Sequence, residues 1–144
     1  MPARKFAPAF LMLVTLLAGC GARDDPQAAL EAAVQQLQDN LEAKQTTAVL
    51  EQLHPQFSAR QELDRDWAKR TMTLLFLRHQ QVRVLALSQS SRLDPTFSEK
   101  GHTEAQVALT GAEGLIPDSA RHYGVKLEWW LEDDEWKLAR LDWE

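Results

Sequence analysis

The chain has 144 residues, 16 Lys and Arg against 21 Asp and Glu for a net charge of −5, five Trp and a single Cys. That length sets the expectation of one domain with its own core, and the acidic balance argues against a nucleic-acid partner. A lone Cys excludes an internal disulfide. His54, His79, His102 and His122 occur at no metal-ligand spacing, and neither a GxSxG elbow nor a phosphate-cradling glycine loop is present, so no metal or cofactor is expected.

Residues 1–19 read as an export signal. Arg4 and Lys5 give the basic start, and the apolar run over 6–17 is shorter than the ~20 residues of a membrane span. Leu17, Ala18, Gly19 and Cys20 resemble the lipobox of bacterial lipoproteins, whose signal peptidase cuts before a lipid-modified Cys. The resemblance implies acyl chains such as palmitate on Cys20, and two chains already suffice for stable anchoring. It would also remove a thiol that is a liability in an oxidising compartment. Gly21, rather than Asp, follows the Cys; by the same resemblance the anchor is expected at the periplasmic face of the outer membrane rather than at the inner membrane. Residues 20–25 are then a tether of at most ~3.5 Å per residue, and 26–144 the folded domain.

Asp25 and Pro26 are an N-cap acceptor and a first-turn proline. Leu30, Val34, Leu37 and Leu41 follow at helical spacing to about Ala43. Thr46 or Thr47 is expected to cap a second helix with Ala48, Val49, Leu50 and Leu53 buried, ended by His54 and Pro55, with a short extended piece at Phe57. A third helix is expected over 63–79, with Leu63, Trp67, Leu74, Leu75 and Leu77 inward and Asp64, Arg65, Lys69 and Arg70 outward. His54 and His79 then fall at helix C-termini, where partial positive charge is favourable. From Val82 the period becomes two, giving a strand that Ser88 to Leu93 can prolong, a turn around Asp94 and Pro95, and a second strand through Ala105, Val107 and Leu109. Residues 111–119 read as a loop with an apolar tip at Leu115 and Ile116.

Residues 123–143 carry four of the five Trp, and Tyr123, Val125, Leu127, Trp129 and Leu131 alternate before the break at Asp133 and Asp134. Trp136 and Leu138 resume the alternation, so two antiparallel strands joined by a two-residue turn are expected. That turn would pair Leu131 with Trp136, Trp129 with Leu138, Leu127 with Arg140 and Val125 with Asp142. A charged pair then arrives on the apolar face beside Tyr123, with two readings: a bulge or exposed sheet end that lets both charges reach water, or a ligand site. In the second, Arg140, Asp142 and Tyr123 hold a ligand's polar group while Trp129, Leu127 and Leu138 hold its apolar body. Trp130 points to the opposite face, either lying over the stems of Lys126 and Lys137 or serving as an interface residue.

Three helices before a four-stranded antiparallel meander make an α+β chain. With His54, Pro55, Gln56 and Phe57 after the second helix and the turn at residues 132–138, it resembles the nuclear transport factor 2-like (NTF2-like) superfamily, which includes SnoaL-like and ketosteroid-isomerase-like proteins. The resemblance implies a cone-shaped fold with helices on a curved sheet, and a homodimer through the outer sheet face. It covers isomerases, dehydratases, cyclases and non-catalytic domains alike. Tyr123 is the sole tyrosine, which does not evidently reproduce the isomerases' paired Tyr and protonated acid. The expectation is a membrane-tethered binding module for a small apolar ligand or an envelope partner protein, the alternative an enzyme of the isomerase, dehydratase or cyclase type.

Overall fold

Asp25 opens the first helix: its carboxylate accepts from the backbone N–H groups of Gln27 at 3.0 Å and Ala28 at 3.2 Å, relieving two of the donors a helix start leaves unpaired. The computed structural model describes residues 25–111, 114–116 and 122–144. The signal segment, Cys20 and its tether lie outside these residues, as do parts of the expected 111–119 loop. The elements in order are α1 (Pro26–Glu42), α2 (Thr46–Gln52), β1 (Leu53–Ala59), α3 (Arg65–Arg78), β2 (Arg83–Leu93), β3 (Lys100–Gly111), β4 (Gly114–Ile116), β5 (Tyr123–Glu132) and β6 (Glu135–Trp143). Among the described residues no helix is long and apolar enough to cross a membrane.

The α+β expectation holds, but the sheet is mixed and larger than a four-stranded meander. Its path runs β1-β6-β5-β3-β2, with β4 paired to β3 where a loop tip was expected. The additional path strand is β1, which lies parallel to β6. His54 is therefore a buried strand residue rather than a helix C-terminus, and Pro55 is tolerated because β1 is a sheet edge. At the other edge, Gln27 and Gln38 of α1 donate to the Ser91 and Val84 carbonyls at 2.8 and 3.0 Å, so the helix covers part of the unpaired β2 backbone.

The core lies between the helices and the inner sheet face, where Leu30, Val34, Phe57, Met72, Trp129, Trp136 and Leu138 pack together. At Gly101 the sheet leaves room for α1: a Cβ there would meet the Leu30 side chain at 2.7 Å, and Leu30 has no exposed surface into which to retreat. Two boundary expectations change. The residue before α2 is Gln45, with no side-chain cap. On α3, capped by Asp64, the buried residues are Ala68 and Met72, whereas Leu74 and Leu77 are 54% and 79% exposed. Lys44, in the left-handed region at φ 57°, reaches across to the carbonyls of Phe76 and His79, supplying the cation that a helix C-terminus favours.

The β5–β6 turn is the expected two-residue one, with Asp133 and Asp134 at φ 48° and 63°. Leu131 pairs with Trp136 and Trp129 with Leu138. Beyond them the register slips at a bulge, and Glu128 opposes Arg140, Leu127 opposes Leu141 and Val125 opposes Trp143. One extra residue, the fully buried Ala139, flips every later side chain to the other face.

Candidate functional site

A cavity of about 430 Å³ opens between the inner sheet face and the helices, within the 300–1,000 Å³ range of ligand pockets. α3 contributes Trp67, Met72 and Leu75, α1 contributes Leu37 and Leu41, and β1 contributes Leu53 and Phe57. The sheet closes it with Ala105, Val107, Tyr123, Leu127, Leu138 and Leu141. Thr71, Ala86 and Gln89 line it too and are exposed, so its mouth lies between α3 and β2.

Its polar content is small. Thr103, 1% exposed, accepts from the Trp129 indole at 3.2 Å and bonds the Ser91 hydroxyl at 2.8 Å, and Gln38 is engaged by Glu42 and the Val84 carbonyl. No Asp, Glu, His, Lys or Arg lines the cavity among the described residues. Tyr123 brings the one ionisable lining group among the described residues. Among the described residues there is no cluster of three potential metal ligands.

Of the residues expected to hold a ligand, Tyr123, Leu127 and Leu138 line the cavity together. Trp129 does not; it is fully buried in the core. Arg140 and Asp142 are also corrected, because the bulge turns them outward. Arg140 lies 4.8 Å from the Trp130 ring centroid and donates to the Gln56 carbonyl at 2.7 Å. Asp142 lines an adjoining polar hollow of about 610 Å³ with Arg60, Glu104 and Lys126. Trp130 is on the outer face, as its alternation implied, with its indole N–H on Glu128 at 2.8 Å and the buried His54 ring edge-on at 4.7 Å.

Trp67 and Trp143 were missed as cavity residues. They stack at 5.8 Å and 10° to form one wall, and Arg60 buttresses it, its guanidinium 4.1 Å from the Trp143 centroid and donating to the Trp143 carbonyl at 2.9 Å. The signal for Trp143 was in the sequence: Trp136 and Leu138 share one phase, Leu141 and Trp143 the other, and the slip between them marks the bulge.

No protein-family model matches the chain and no curated protein resembles it in sequence, so the comparison rests on structure. A candidate dehydratase from the NTF2-like family of Streptomyces avermitilis superposes with a TM-score of 0.67 at 10% identity, over 83% of this chain and 95% of that one. The fold is NTF2-like. A candidate ketosteroid isomerase from Shewanella frigidimarina matches this NTF2-like cone at TM-score 0.63 and 12% identity, over 83% and 98% of the two chains. Bd1075 of Bdellovibrio bacteriovorus matches at 0.67 and 10%, over 79% of this chain, which spans only 38% of that protein's length. At such identities the likeness describes the cone and not an activity.

Proposed function

We propose that this chain is a non-catalytic binding module, tethered by lipid on Cys20 at the periplasmic face of the outer membrane, that holds a small uncharged apolar ligand in its cone. The observation that carries the reading is the cavity lining: mostly apolar side chains, with Gln38, Thr71, Gln89, Thr103 and Tyr123 the polar ones and no described Asp, Glu, His, Lys or Arg among them. An isomerase or dehydratase needs an acid or base within hydrogen-bond reach of the reacting atoms, and Tyr123 alone supplies no such pair. Burying a charged ligand group without a partner carries a large desolvation penalty, so the ligand is neutral, with any hydroxyl or carbonyl turned to the Tyr123 hydroxyl.

The test uses N-phenyl-1-naphthylamine, a neutral apolar fluorophore that brightens out of water. The full chain is expected to bind it saturably, one per chain, and Ala105→Phe, which fills the cavity, is expected to abolish binding. Absence of saturable brightening, or brightening unchanged in a folded Ala105→Phe variant, overturns the reading. The anchor is tested separately: labelled palmitate is expected to incorporate into the wild-type chain and not into Cys20→Ser, and incorporation into both removes it from the proposal.

A further inference from the structure

The charges of this acidic chain are unevenly placed. Between Trp67 and Leu93 it carries Lys69, Arg70, Arg78, Arg83 and Arg92 and neither Asp nor Glu. Two large hydrophobic residues of α3 in the same interval, Leu74 and Leu77, are exposed; Leu85 of β2 is exposed too, but it alternates with the cavity-lining Val84 and Ala86 and so points to the other side of the sheet. At 100° per residue, Lys69, Arg70, Leu74, Leu77 and Arg78 share one half of α3, all exposed, while Ala68 and Met72 occupy the buried half. Asp66 is the sole acid of the helix.

Exposed leucines interleaved with cations on a helix are the pattern of an interfacial amphipathic helix, whose apolar side enters the headgroup region while its cations meet anionic lipid. We infer that the outer face of α3 docks on an anionic membrane surface. Charge complementarity selects this occupant: the face is cationic on a chain whose net charge is −5. α3 also borders the cavity mouth, at Thr71 across from Ala86 and Gln89 of β2, so docking brings the mouth close to the lipid from which an apolar ligand would enter. The inference stands whether or not Cys20 is acylated.

Because the apolar run at 6–17 can hold the chain on any vesicle, the deciding readout is local. A solvent-sensitive fluorophore is placed on Leu77→Cys in the full chain carrying Cys20→Ser; Leu77 is 79% exposed, so the label does not disturb the core. Emission is expected to shift to the blue on phosphatidylcholine vesicles containing about one third phosphatidylglycerol, and not on pure phosphatidylcholine. The shift should fade with added salt, and Arg70→Gln and Arg78→Gln should each weaken the vesicle affinity it reports about fivefold. An equal shift on both vesicles, or no weakening in the Gln variants, overturns the inference. So does a blue shift that grows with protein concentration without vesicles, which would mean that a second copy covers the face.

Discussion

At the scale of single residues, the two faces of the hairpin should differ sharply in what they contribute. Trp136 is 6% exposed, and its indole donates to the Pro26 carbonyl at 3.2 Å, tying β6 to the start of α1. Trp136→Ala should cost about 3–5 kcal/mol of a total near 5–15 kcal/mol, and Trp130→Ala about 1 kcal/mol; denaturant titrations giving the reverse order would mean that the faces are exchanged. Asp94 offers a pH test. It accepts from His102 at 2.7 Å and from the Phe97 and Thr96 N–H groups, and these bonds, that of His102 first, hold its pKa at about 2 against an ordinary 3.8. A depressed carboxyl pKa stabilises the fold above the unfolded value, and that stability is lost as pH falls through the folded one. Wild type should therefore be more stable than Asp94→Asn at pH 7, and the difference should shrink between pH 4 and pH 2. A constant difference would show that the Asp94 charge contributes nothing to the β2–β3 turn.

At the scale of elements, the helices were legible because capping and spacing are local: Asp25, Pro26 and the four apolar positions of α1 need no knowledge of the rest of the chain. β1 was legible only as a short extended piece at Phe57, because a parallel edge strand has no hairpin partner to announce it and His54 with Pro55 reads equally well as a helix stop. The exposed half of α3 was misjudged for a different reason. Leu74 and Leu77 are apolar, but only packing shows that Ala68 and Met72 fill the core in their place. The bulge at Ala139 governs most of the site, since it turns Arg140 outward and brings Leu141 and Trp143 to the cavity. Deleting Ala139 leaves Leu138 inward, Arg140 outward and Leu141 and Trp143 inward in strict alternation, so the observed pairing survives and the deletion should cost no more than about 3 kcal/mol. A deletion variant that loses its cooperative unfolding transition would show that the sheet needs the bulge itself and not only the phase it sets.

At the scale of the whole molecule, an acidic domain with an apolar cone presents a basic, leucine-bearing edge at the cavity mouth. The NTF2-like layout could be anticipated from element order, as could Tyr123, Leu127 and Leu138 in the cavity lining, but the alternation continued past Leu138 placed charges where the structure has Leu141 and Trp143. Volume and neutrality together define what the cavity accepts. The most direct test is calorimetric titration of the full chain at pH 8 with 1-tetradecanol and with tetradecanoate, which share a chain and differ in head-group charge. The alcohol should bind one to one with a negative heat-capacity change and at least about tenfold more tightly than the carboxylate, whose charge finds no partner inside. Tetradecanoate binding as tightly as the alcohol, or neither ligand binding, would contradict a cone built for uncharged apolar molecules.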